Sequence, residues 1–276
     1  MDDQLNQVFY PLSYSELFAA WNRYPSAVLF AGGTGLIREQ GRQILDLPKI
    51  IISLDRLEEM HRISRSERYL EIGAMVKLSQ IIDLGKIVPD ALRCCLENIA
   101  GLELRNIATI GGNICYPARR LDSSAALTAL DAQYELRNVQ SSRWISAARL
   151  TSKPGVSVMN PQELLTRIRV PLDIWDYSAY KKFAGQANQS KVAVFLAKTP
   201  KNILGDIKII YKNDMIWRNR NSESILIGKT LPLSRRVIID FIAHWETFLS
   251  GIGSIDDISR NELINFIKMN VYNLSE

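Results

Sequence analysis

The sequence predicts an α+β fold, with a small alternating α/β region at the N-terminus and a separate α+β domain at the C-terminus. Three observations carry this. Short β-branched runs alternate with helical stretches as far as Pro171, and from about Trp175 the pattern shifts to a run of strands followed by two helices. Two glycine-rich segments, Ala31-Gly32-Gly33-Thr34-Gly35 and Thr109-Ile110-Gly111-Gly112-Asn113, each follow an apolar run. At 276 residues the chain is long enough for one large domain or two smaller ones.

The elements follow in order. Residues 27–31 form a compact apolar strand, the glycines turn the chain, and 36–40 have helical character. A β-branched run at 50–54 completes a small α/β unit. Beyond Asp55 we expect a strand at 69–74, a short helix at 78–84 and an amphipathic helix at 90–99. In the Ile- and Gly-rich stretch 105–115, the pair Gly111-Gly112 suits a close backbone approach that a Cβ would hinder. Asp122-Ser123-Ser124 read as the N-cap of a helix over 125–130, and a turn at 131–132 leads to a strand at 134–137. Another strand spans 164–170 and stops at Pro171. The second half then carries strands at 177–183, 192–197, 207–211 and 215–218 and helices at 234–249 and 259–270. There is no internal repeat.

Composition removes several classes of function. No apolar stretch approaches the roughly 20 residues of a membrane span, and the start Met1-Asp2-Asp3-Gln4 lacks a secretory leader pattern. We therefore expect a cytoplasmic protein with no membrane partner. Three cysteines, two of them adjacent at Cys94 and Cys95, make neither a disulfide framework nor a metal-ligand spacing. The net charge of +5 comes from scattered basic residues without a nucleic-acid motif, so no nucleic-acid partner is expected. His61 and His244 stand far apart with no nucleophile motif beside either, which argues against a histidine-based hydrolase.

The glycine segments carry the chemistry. Consecutive glycines expose backbone N–H groups as an anion nest suited to a pyrophosphate, and Thr34 adds a hydroxyl donor. Neither segment is the G-x-G-x-x-G of a dinucleotide fold, nor do they end in the Lys-Ser/Thr of a P-loop. Either one alone reads equally well as an ordinary turn; together they could hold a long dinucleotide from both sides.

These segments, with Phe9-Tyr10-Pro11-Leu12-Ser13-Tyr14-Ser15-Glu16, Leu70-Glu71-Ile72-Gly73-Ala74 and Leu104-Arg105-Asn106-Ile107-Ala108 leading into the second of them, resemble the FAD-binding medium subunits of molybdenum hydroxylases such as xanthine dehydrogenase and carbon monoxide dehydrogenase. The resemblance spans nearly the whole chain. It implies a two-subdomain FAD-binding region of PCMH type at 1–172, with subdomains 1–55 and 56–172 clasping the cofactor, and a smaller C-terminal α+β domain at 173–276.

The same resemblance implies the site. Ala31, Gly32, Gly33, Thr34, Gly35 and Leu36 would enclose the FAD diphosphate together with Thr109, Gly111, Gly112 and Asn113. Asp122 would contact ribityl or ribose hydroxyls, its alternative role being the N-cap alone. Leu165, six residues before Pro171, would lie against the isoalloxazine unless it is simply a core leucine. Lys181 or Lys182 would set a positive charge near the ring, or else form a solvated pair on an edge strand. No catalytic and no metal-ligating residue is expected.

The chain departs from the family at Gly35, where relatives carry Asp, Ser or Glu, at Pro117-Ala118-Arg119-Arg120 and at Gly185-Gln186. The implied partners are a molybdopterin-binding large subunit and an iron–sulfur small subunit, with NAD or another acceptor receiving the electrons. The alternatives are a self-sufficient flavin oxidoreductase and a flavin-free scaffold subunit.

Overall fold

The computed structural model describes residues 6–40, 46–116, 122–150, 158–183, 191–213 and 215–275. Among these, three sheets follow one another along the chain. The first is parallel: β1 (Gln7–Phe9), β2 (Val28–Phe30) and β3 (Ile50–Ser53) lie in the order β1-β3-β2, with α1 (Tyr14–Arg23) after β1 and α2 (Thr34–Gln40) after β2. The Ser13 hydroxyl accepts from the Glu16 N–H and the Glu16 carboxylate accepts from the Leu12 N–H at 2.9 Å, so the opening segment is a helix start in physical terms. Leu17 and Phe18 of α1 are buried in the same core as Ile52 of the central strand.

The second sheet is antiparallel. Its strands β4 (Ile63–Arg65), β5 (Tyr69–Gly73), β6 (Gln133–Arg137), β7 (Ser142–Ser146) and β8 (Leu164–Pro171) lie in the order β4-β5-β8-β6-β7. Period-two alternation gives it two unlike faces. Leu70, Ile72, Tyr134, Leu136, Ile168 and Val170 are buried in the core, whereas Glu71, Glu135, Arg167 and Arg169 pair with one another on the opposite face. The intervening chain carries α3 (Leu78–Ile82), α4 (Asp90–Glu97), α5 (Leu102–Arg105), α6 (Ile110–Cys115) and α7 (Ser123–Ala129), and α8 (Ala147–Leu150) follows β7.

The third sheet, β9 (Tyr177–Phe183), β10 (Lys191–Lys198), β11 (Asp206–Lys212) and β12 (Ile216–Trp217), is antiparallel in the order β12-β11-β10-β9. Three helices follow: α9 (Arg220–Leu226), α10 (Arg235–Ser250) and α11 (Asp257–Asn273). The near-continuous apolar run of β10 reflects burial on both faces. Val192, Val194 and Leu196 join the core of the first two sheets, while Ala193, Phe195 and Ala197 join a second core with Phe241, Trp245 and Phe266. All of α7, Ser123 to Ala129, is buried, since it packs on α4 and α6 and also against β10 and β11. A helix enclosed on every side needs small, mostly uncharged residues, and Ser-Ser-Ala-Ala-Leu-Thr-Ala supplies them.

The α+β expectation is met, and the strands expected at 50–54, 69–74, 177–183 and 192–197 correspond to β3, β5, β9 and β10. Periodicity alone did not signal β1, β4 and β7, short strands of three to five residues, nor the helices α1 and α9. No described helix is long and apolar enough to cross a membrane.

Candidate cofactor site

The first glycine segment is the turn between β2 and α2. Gly33 sits at φ +68°, a left-handed conformation that favours glycine. A Cβ on Gly32 would lie 2.2 Å from the Ile107 carbonyl oxygen, so this residue is glycine because two backbones touch there. Ile107 leads directly into the second glycine segment, and the two segments therefore meet in space.

The second segment is held from below by the chain that leaves β5. The N–H groups of Leu78, Ile110 and Gly111 donate to the carbonyls of Ala108, Val76 and Ala74 at 3.0, 2.9 and 2.8 Å. Thr109 then caps α6, its hydroxyl accepting from the Gly112 N–H at 3.1 Å. Gly111 is buried, and a Cβ there would lie 2.6 Å from the Ala74 Cβ and 2.7 Å from the Ala74 carbonyl oxygen. Gly112 is exposed, with Ala31 Cβ only 3.9 Å from its Cβ position.

This geometry separates donors from supports. The N–H groups of Gly111 and Gly112 already have acceptors in the protein. The first turn of α2 differs: Thr34, Gly35 and Leu36 occupy helix positions whose N–H groups have no intrahelical acceptor. They are half-buried rather than sealed in the core, and Ala31, just before the turn, lies next to Gly112. The junction thus presents one helix start with available donors, backed by a second segment that is fastened down.

Asn113 accepts at its side-chain oxygen from the Ser123 hydroxyl, which ties α6 to α7. Asp122 precedes α7 with helical φ and ψ of −60° and −35°, and its side chain does not cap the helix. The N-cap expectation is corrected here: the buried carboxylate instead takes Lys182 Nζ at 2.7 Å, and that ammonium also donates to the Asn98 carbonyl at 3.1 Å. Lys181 and Lys182 project from opposite faces of β9. Only Lys182 reaches Asp122, while Lys181 Nζ stands 5.3 Å from the Phe183 ring centroid. Leu165 is buried on β8, the strand beneath α6, paired with Leu136.

Tyr116, not singled out in the sequence, stands at the C-terminal end of α6 and donates its hydroxyl to the Gly35 carbonyl at 3.0 Å. The departures Pro117-Ala118-Arg119-Arg120 and Gly185-Gln186 lie outside the described residues. Among the described residues, no group of His, Cys, Asp and Glu is arranged to hold a metal ion.

A cavity of about 440 Å³ lies on the charged face of the second sheet, and no residue of either glycine segment lines it. Its charges are largely matched. Arg167 grips Glu135 through Nε and Nη2 at 2.8 and 2.9 Å, and the Thr166 hydroxyl adds a bond of 2.6 Å. Burial alone would raise the Glu135 carboxyl, but the hydrogen bonds from Arg167 and Thr166 outweigh it and hold the group at about 2.

Comparison with known proteins identifies the family of the chain. The family described as "FAD binding domain in molybdopterin dehydrogenase" matches residues 4–173. The glyceraldehyde dehydrogenase medium chain of Sulfolobus acidocaldarius is 31% identical over 207 residues, 73% of each chain. The xanthine dehydrogenase FAD-binding subunit of Escherichia coli O157:H7 is 30% identical over 166 residues, covering 58% of this chain and 56% of that one. Among solved structures, a chain of the reconstituted CO dehydrogenase from Oligotropha carboxidovorans superposes with a TM-score of 0.82 at 20% identity, over 98% of this chain and 97% of the other.

Proposed function

Because the chain belongs to the family of FAD-binding domains of molybdopterin dehydrogenases, we propose that it works as the FAD-binding medium subunit of a molybdenum hydroxylase complex, passing electrons from an iron–sulfur small subunit to NAD or another acceptor. A molybdopterin-binding large subunit would be the source of those electrons. The observation that carries this reading is the junction of the two glycine segments, where Gly32 meets the Ile107 backbone and the first turn of α2 keeps N–H groups without intrahelical acceptors.

The residues present fit FAD. Donors at Thr34, Gly35 and Leu36 suit a diphosphate, which gains from the positive end of α2 as well as from direct hydrogen bonds. Ala31, Gly32 and Gly33 set the path of that turn, and exposed Gly112 leaves room beside it. Thr109 and Gly111 fix the supporting segment, while Asn113 joins it to α7. Asp122, anchored by Lys182, offers carboxylate oxygen to ribityl or ribose hydroxyls. Leu165 supplies the apolar support of the ring, and Lys182, on the face of β9 that reaches Asp122, the positive charge on its side of the site, whereas Lys181 lies on the other face. We assign 1–172 as the FAD-binding domain, with subdomains 1–55 and 56–172, and 173–276 as the C-terminal domain.

FAD, when bound, supplies the redox chemistry, exchanging electrons singly or in pairs. The protein's own part is to hold and orient the cofactor and to keep its charges matched, which is why no acid–base catalyst is assigned. The test is a stopped-flow experiment on the chain assembled with its iron–sulfur and molybdopterin subunits. Bleaching of the flavin band on substrate addition, followed by formation of reduced nicotinamide, is expected. A chain whose flavin is reduced by substrate without those subunits belongs instead to a self-sufficient flavin oxidoreductase, and one that carries no flavin in the active complex is a scaffold.

A further inference from the structure

The Tyr116 ring occupies the place where a side chain at position 35 would go. A Cβ on Gly35 would lie 2.8, 2.9 and 2.9 Å from the Cε2, Cδ2 and Cζ atoms of that ring. The two residues are 81 positions apart, yet the phenol hydroxyl also bonds the Gly35 carbonyl at 3.0 Å. The contact joins the end of α6 to the first turn of α2, and so joins the two glycine segments at a second point besides Gly32 and Ile107.

Seven-residue α2 has strong need of such a contact. A helix this short is marginal without tertiary support, and its useful donors are the N–H groups of its first turn. Donors suited to a doubly charged group act best when they are fixed before the ligand arrives, since a ligand that must order them binds less tightly. Gly32 fixes the approach to the turn through backbone contact; Tyr116 fixes the turn itself.

We propose that Tyr116 is a positioning residue for the diphosphate-binding turn, and that position 35 is glycine because the Tyr116 ring fills the space of its side chain. This rests on the FAD reading of the site. It accounts for the departure at Gly35 without assigning Gly35 any contact with the cofactor through a side chain. A substitution at 35 acts by pushing the ring aside, and removing the ring makes the same substitution harmless.

The test uses the full-length chain with Gly35→Ala, Tyr116→Phe, Tyr116→Ala and the double variant Gly35→Ala/Tyr116→Ala. FAD affinity is read by flavin fluorescence, and hydrogen exchange of the amides at 37–40, which are bonded within α2, is read on the flavin-free chain. Tyr116→Phe should weaken FAD about three- to tenfold, the worth of one hydrogen bond, and speed exchange at 37–40 with little change elsewhere. Gly35→Ala should weaken binding similarly in the wild-type background and not at all beside Tyr116→Ala. Equal losses from Gly35→Ala in both backgrounds overturn the proposal, as does faster exchange in Tyr116→Phe with unchanged affinity, which leaves only a structural contact. A wild-type chain that binds no FAD, alone or in the assembled complex, removes the proposed function and with it the role toward the diphosphate. Normal FAD binding in all four variants removes the Tyr116 role alone.

Discussion

Two adjacent glycines at 111 and 112 should respond very unequally to the same substitution. At Gly111, a methyl group would meet the Ala74 Cβ at 2.6 Å and the Ala74 carbonyl at 2.7 Å, and the latter is backbone that cannot swing aside. Relief requires the segment to lift, which breaks the bonds from Gly111 to Ala74 and from Ile110 to Val76, 2.8 and 2.9 Å long. Two hydrogen bonds at about 1 kcal/mol each, with overpacking of about 1–3 kcal/mol, give a destabilisation of about 3–5 kcal/mol for Gly111→Ala. At Gly112 the nearest neighbour among the described residues is the Thr109 hydroxyl at 2.8 Å. Losing that cap costs about 1 kcal/mol, and the better helix propensity of alanine returns about 0.5–1 kcal/mol, so Gly112→Ala should change stability by less than about 1 kcal/mol. Urea unfolding followed by circular dichroism on the flavin-free chain measures both. A Gly111→Ala variant as stable as wild type would refute the view that this glycine fastens the second segment to the chain leaving β5.

Three further outcomes follow from the ion pairs. Lys182→Met leaves the buried Asp122 carboxylate without its ammonium, a loss of about 2 kcal/mol once the 38% exposure of Lys182 is allowed for; denaturant titration should show less than half that for Lys181→Met, and equal losses would contradict the assignment of Lys182 to Asp122. Adding Asp122→Asn to Lys182→Met should recover part of the stability, whereas strictly additive losses would mean the two side chains are not coupled. Glu135 titrates below its unfolded value, so its contribution is complete above about pH 4.5 and is lost as pH falls towards 2. That contribution is about 2 kcal/mol after discounting for the 41% exposed Arg167, and Glu135→Gln should lose this part of the acid limb in urea titrations; identical acid limbs would show that the pair does not control it.

Much of the architecture was legible because it is written locally. The β-branched run at 50–52 and the two-sided apolar run of β10 depend on burial, which the sequence records residue by residue. The glycine segments were legible for the same reason, since close backbone contact admits few alternatives. Strands β1, β4 and β7 were not, because short strands are defined by the partner they pair with rather than by their own pattern. Tertiary electrostatics were equally hidden. Asp122 reads as a helix cap, and only the arrival of Lys182 from 60 positions away claims its carboxylate. The adjacent lysines could be told apart only once β9 assigned them to opposite faces. Tyr116 looked unremarkable in sequence because its meaning depends on what is missing at Gly35.

The measurement that bears most directly on the central claim is the absorption spectrum of the purified chain after mixing with FAD and desalting, for wild type and Gly112→Val. Gly112 is the position to change, since valine at Gly111 would disrupt the fold before it could report on the cofactor. The wild type should retain stoichiometric flavin, and Gly112→Val should remain folded and emerge largely colourless. A folded Gly112→Val that keeps as much flavin as wild type would contradict the placement of FAD at the junction of the two glycine segments.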